Sequence, residues 1–154
     1  MKLTLGNLAH LAEIIGAVAI VISLVYVGQE LNANTAAVQA ASLQSVTNAS
    51  SVSMLAVVEN EDFARIRVQA MRDPSQLSET EQLRWFLYQR QMWLHFQNVW
   101  QQWELGTLDN GIWEGYERVI CRDLLSDEAT RQQWQETHAF ALSTKFVRHV
   151  GNCG

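Results

Sequence analysis

Residues 14–27, Ile14-Ile15-Gly16-Ala17-Val18-Ala19-Ile20-Val21-Ile22-Ser23-Leu24-Val25-Tyr26-Val27, govern how the chain is read. Leu8, Ala9, Leu11 and Ala12 extend this stretch toward the N-terminus, so that Leu8 to Val27 spans 20 positions. A helix of that length, rising about 1.5 Å per residue, crosses roughly 30 Å of hydrocarbon. Nine Ile, Leu or Val residues fall between Ile14 and Val27. At about −0.5 kcal/mol each they favour insertion by roughly 4 kcal/mol. Glu13 and His10 oppose it, but both lie near one end and reach the interface; Tyr26, near the other end, suits an aromatic belt. The stretch is therefore expected to be a transmembrane anchor.

Three other readings compete. A signal peptide has a similar apolar core, but Lys2 alone supplies its basic region and no A-x-A site follows. A buried helix of a soluble bundle fits the uninterrupted apolar run of 15 residues, Ile14 to Gly28. A helix lying flat in the interface needs a polar face, and apolar residues surround this one.

Outward from the anchor, Lys2 is the sole nearby basic side chain, Glu30 follows the segment, and no Arg appears before Arg65. The positive-inside rule then predicts a cytoplasmic N-terminus and an outward C-terminal domain. Ala9, Ala12, Gly16, Ala19 and Ser23 are spaced to share one stripe, which lets a second helix approach closely in lipid. These five residues are the candidate helix-association face.

Between Ile14 and Val58 the only charged residue is Glu30, whereas both signs mix freely from Glu59 onward. The expected organisation is a transmembrane anchor at 1–30, an uncharged connector at 31–58 and a Trp-rich helical domain at 59–154. The 28 connector residues include neither Gly nor Pro, and 14 of them are Ala, Ser or Thr. Read as a helix, the connector packs along its own C-terminal domain, joins an oligomeric bundle or lines a pore. Its Ser, Thr, Asn and Gln are modest helix formers, which leaves room for a break near Asn48 to Ser53 in an otherwise continuous helix.

The C-terminal part reads as a run of helices. Asn60 to Arg72 carries Phe63, Ile66, Val68, Ala70 and Met71 on an amphipathic pattern and stops before Asp73-Pro74. Ser78 with Glu81 forms a capping-box signature opening a long helix, Glu79 to Leu105. On it Trp85, Tyr88, Met92, Phe96, Val99 and Trp103 make one stripe, with Phe86, Trp93 and Trp100 beside it. Gly106 suits a left-handed stop, and Asp109 caps a helix bearing Trp113, Tyr116, Val119, Ile120 and Leu124. Ser126 or Asp127 caps a fifth helix through Trp134 toward Phe140, and Ser143 starts a last one with Phe146, Val147 and Val150. No stretch alternates as a strand does. The class is all-α, with an N-terminal transmembrane helix running into a long helix and then a small helical bundle.

The chain resembles a family of small uncharacterised bacterial membrane-anchored proteins. The resemblance is carried by Glu13 to Gly28, Gln29 and Asn34-Thr35. It continues through Asp73-Pro74 with Leu77 and Glu81, Leu105-Gly106-Thr107-Leu108-Asp109 with Trp113, Trp134, and the Ser143, Phe146, Val147 ending. Where members usually carry a basic residue, this chain has Glu30-Leu31-Asn32-Ala33, which weakens orientation by analogy. The family carries no assigned activity, so the resemblance implies architecture and a bacterial inner-membrane setting, single-pass, and nothing about chemistry.

Composition excludes several classes. A net charge of −5 on 154 residues argues against non-specific nucleic-acid binding, which needs a basic surface. The two cysteines, Cys121 and Cys153, are too few for a disulfide framework; Cys121 reads as a buried free thiol and Cys153 as part of a fraying tail. His149 and Cys153 fall short of a zinc set, and His95 reads as a hydrogen-bonded structural histidine. Glu114, Glu117 and Arg118 read as a solvated ion-pairing face. No phosphate loop, nucleophile elbow or Glu-x-x-His pair is present. The expectation is therefore a membrane-anchored interaction module, with enzymatic activity disfavoured but left open and no catalytic residue, metal or cofactor assigned. Its expected partners are membrane lipid and either further copies of itself or a membrane complex. A sensor or carrier of a small apolar ligand is the alternative, with Trp93, Trp100 and Trp103 as the aromatic pocket or partner surface, and a homo-oligomeric pore is a further one.

Overall fold

The apolar run and the uncharged connector form one helix, α1 (Leu5–Val58), in the computed structural model of the chain, which describes residues 5–125 and 128–153. The break expected near Asn48 to Ser53 is not there. Val46 is buried and Ser50 is hydrogen-bonded to two other helices, so packing overrides weak propensity. The hydroxyl of Ser51 donates back to the Thr47 carbonyl at 2.9 Å, and the Gln44 amide reaches Asn48 at 2.8 Å, so local polar groups are satisfied without leaving the helix.

The chain divides into two compact units, Met1–Val38 and Gln39–Gly154. The described residues of the first are helix alone. Its apolar side chains stand in the open on every face: Ile14 is 60% exposed, Ile20 62% and Leu24 67%. α1 is the one helix among the described residues long and apolar enough to cross a bilayer. Lys2, on which the orientation rests, lies outside the described residues.

The second unit is all-α. After the end of α1 come α2 (Glu61–Arg72), a 3₁₀ turn (Pro74–Gln76) and α3 (Glu79–Glu104). α4 (Asn110–Arg118) then passes directly into a π-helical segment (Val119–Leu124), followed by α5 (Glu128–Thr137), a second 3₁₀ turn (Ala139–Ala141) and α6 (Thr144–Val150). The local signals set most boundaries. Asn60 caps α2 by accepting from the Phe63 N–H, Asp109 caps α4 through Gly111, and Ser143 caps α6 through Phe146. Glu81 accepts from the Ser78 N–H at 2.9 Å in the capping box of α3 and also pairs with Arg65 at 2.6 Å. These bonds hold the Glu81 carboxyl down at about 2. The expected cap at Ser126 or Asp127 lies outside the described residues.

α3 ends in a Schellman motif: Thr107 donates to the Gln102 carbonyl and Gly106 to that of Trp103, both at 2.9 Å, with Gly106 at φ +71°. Open space surrounds the position a Cβ would take there, so the cost of Gly106→Ala is backbone strain alone. We expect a loss of about 1 kcal/mol, read as a lower urea midpoint at unchanged m-value.

α3 supplies the centre of the core. Trp93, Phe96, Val99 and Trp100 pack with Val46 of α1, Trp113 of α4, Ile120 and Leu125 around the π segment, Trp134 of α5 and Phe146 of α6. Phe63, Ile66 and Ala70 of α2 form a smaller cluster with Leu77. Val68 and Met71, expected on the apolar face of α2, are instead exposed. The π segment has a packing reason. In an α-helix Ile120 and Leu125, five residues apart, would point about 140° away from each other. The wider turn, closed by the Leu125 N–H on the Ile120 carbonyl at 2.9 Å, lets both bury to 1%.

The cysteines depart from expectation. Cys121 is not a free thiol and Cys153 is not in a loose tail; the two form a disulfide across a sequence separation of 32, with Cα atoms 5.1 Å apart. The π segment carries Cys121, and the turn after α6 carries Cys153 against the core. Nothing in the sequence spacing signals this pairing, because the contact exists only once α3, α4 and α6 have packed.

Candidate functional site

Three side-chain constellations in the second unit carry polar chemistry. The first joins α1, α3 and α4. Ser50 Oγ lies 3.0 Å from His95 Nε2 and 2.7 Å from the Tyr116 hydroxyl, and His95 Nε2 lies 3.3 Å from that hydroxyl. A serine on an imidazole has the outline of a nucleophile–base pair. No described carboxylate orients the ring, however, and Ser50, His95 and Tyr116 line neither the groove between α2, α3 and α5 nor the one beside Leu55 and Phe63. His95 is buried and hydrogen-bonded, as its sequence position suggests, and ties the C-terminal part of α1 to α3 and α4.

The second surrounds His149. Its ring packs at 5.9, 5.8 and 5.5 Å from those of Trp100, Trp103 and Trp113, and its Nε2 lies 2.9 Å from Glu117 Oε1. Glu117 is thus engaged with α6 and is not part of a purely solvated ion-pairing face. With Cys153 in the disulfide, His149 has no cysteine to share a metal with. Among the described residues no group of three metal-ligating side chains converges.

The third is a groove of about 530 Å³ between α2, α3 and α5. Met71, Trp85, Tyr88, Met92, Trp93, Phe96 and Trp134 provide its apolar wall, and Arg67, Gln89, Gln133, Thr137 and His138 its polar groups. The Trp85 and Tyr88 rings stack at 5.7 Å, and Trp93 tilts against Trp134 at 5.1 Å. Two residues that line this groove from the α5 side hold buried, unpartnered polar atoms. Trp134 is 3% exposed and His138 5%, yet Trp134 Nε1 and His138 Nδ1 make no hydrogen bond. Buried polar atoms are nearly always paired, so each such orphan calls for a polar partner, an ordered water or a ligand group. Trp100 Nε1 and Gln102 Oε1 are also unpaired, away from the groove.

Burial lowers the affinity of both His95 and His138 for a proton, and Arg90, whose guanidinium donates to the His138 carbonyl, adds to this at His138. A histidine whose folded value lies below the ordinary 6.5 is destabilising only where the unfolded chain takes up a proton first. Stability contributed by the neutral rings is thus full above about pH 6.5 and falls as pH drops below it. Thermal melts should show a lower midpoint at pH 5 than at pH 7.5. Glu81 does not contribute to that fall, because its carboxyl releases stability only below the ordinary 4.5, toward about 2.

The candidate residues from sequence are distributed as follows. Ala9, Ala12, Gly16, Ala19 and Ser23 lie in the open part of α1, with the Ser23 hydroxyl donating to the Ala19 carbonyl at 2.8 Å and open space at Gly16. Trp93 lines the groove, Trp100 is buried against Phe146, and Trp103 stacks on Trp113 at 5.6 Å with its Nε1 donating to Asn110. The three tryptophans therefore do not share one surface. Sequence reading missed Arg67, Trp85, Trp134 and His138 as a set, since they come from three helices and the turn after α5 with no common spacing. Comparison with protein-family models, curated proteins and solved structures returns no match.

Proposed function

We propose that the chain is a single-pass, membrane-anchored helical module that assembles with further copies of itself or with a membrane complex. The carrying observation is the exposure of the apolar side chains of Leu8 to Val27 on every face of α1. A soluble core helix hides such a surface; this one requires a cover, and hydrocarbon is the cover its length fits. The disulfide supports the orientation drawn from Lys2. Cys121–Cys153 is stable in an oxidising compartment, which favours the outer side of the membrane for the second unit. Small residues at Ala9, Ala12, Gly16, Ala19 and Ser23 favour close helix association in lipid. A second apolar stripe, Leu83, Leu87 and Leu94, is exposed on α3.

Light scattering of the full chain in a nonionic detergent tests the assembly. Several copies per micelle are expected, reduced in number by Gly16→Leu, which fills the open face. A monomer at micromolar concentration contradicts it.

A further inference from the structure

We propose that the groove between α2, α3 and α5 is a binding site for a small aromatic carboxylate, a planar apolar body carrying one anionic acceptor group. This goes beyond membrane anchoring and does not depend on it. The volume, about 530 Å³, falls in the range of small-molecule sites, and the wall is aromatic on both sides. Stacked Trp85 and Tyr88 offer ring faces, which favour a planar ligand over a flexible chain.

The polar groups fix the sign of the ligand's charge. Arg67 lines the groove half-buried, and among the described residues it has no ion-pair or hydrogen-bond partner. An arginine offers donors only, and so does an indole N–H. The buried, unpaired Trp134 Nε1 can therefore be satisfied only by an acceptor. A carboxylate suits both kinds of donor, whereas an ammonium group would meet Arg67 with like charge and leave the indole N–H orphaned. His138, whose neutral ring is favoured by burial, adds no second cation to the site. Its Nδ1 is left to bond a ligand hydroxyl or a carboxylate-bound water.

The test is calorimetric titration of the full chain in nonionic detergent with naphthalene-2-carboxylate and with 2-(aminomethyl)naphthalene, each corrected for empty micelles. The acid is expected to bind at least about tenfold tighter than the amine, the scale of one charge-assisted hydrogen bond. Arg67→Gln should weaken the acid by about tenfold while leaving the thermal midpoint unchanged, since the side chain has no partner to lose. Trp134→Phe keeps an aromatic wall and removes the donor; it should weaken the acid and leave binding of 2-methylnaphthalene, which has no acceptor, as it was. Equal affinity for acid and amine, no binding of the acid up to millimolar concentration, or an Arg67→Gln variant that binds the acid as well as the parent, overturns the proposal.

Discussion

Two arginines placed at the middle of the anchor, Val18→Arg with Val21→Arg, are expected to move the protein out of the membrane. At a bilayer centre an arginine costs about 3 kcal/mol where a valine contributes about −0.5, so the pair shifts insertion by about 7 kcal/mol. That exceeds the roughly 4 kcal/mol which the Ile, Leu and Val residues of this stretch supply, so the sign of the balance reverses. Arginine is a good helix former, and Val18 and Val21 are 53% and 59% exposed, so the substitutions disturb no packing within the chain. Alkaline extraction of membranes should release the variant and retain the parent. An arginine pair that leaves the protein in the washed pellet would mean that the stretch is held by another protein rather than by hydrocarbon.

The second large effect concerns the disulfide. Removing the link with Cys121→Ser and Cys153→Ser frees a loop spanned by a sequence separation of 32. Loop-closure entropy for that length corresponds to about 3–4 kcal/mol. For a unit of this size that is a fall of roughly 15 °C in thermal midpoint. Addition of a reductant to the parent should reproduce the shift. The loss should concentrate where the link acts, on the π segment and α6, where hydrogen exchange at Leu125 and Gly151 would rise first. A midpoint indifferent to reductant would show that core contacts of Ile120, Phe146 and Val150 suffice to hold these elements together.

Much of the fold is legible in the sequence because its signals are local. Ser78 with Glu81, Asp109, Ser143 and Gly106 each act within a single turn, and each stands in the structure where its chemistry places it. The stripes on α3 are legible for the same reason, since a 3.6-residue period is a property of one helix. Features created by packing between elements are not. The unbroken course of α1 past Asn48 rests on Val46 and Ser50 meeting α3 and α4, against what the composition there favours. The π segment exists because Ile120 and Leu125 are both drawn into the core. The disulfide and the groove likewise join residues from distant parts of the chain. Trp93 could be read from its stripe as a pocket residue, but its neighbours in the groove, Arg67 and Trp134, belong to other helices.

The mass and location of the mature protein test membrane anchoring most directly. Membranes from cells expressing the chain with a C-terminal tag, washed at alkaline pH, should retain a species of full mass, including residues 8–27, that only detergent releases. A tagged species in the soluble fraction, either intact or shortened by the loss of that segment, would contradict the account. The intact form would point to a soluble bundle and the shortened form to a cleaved signal sequence.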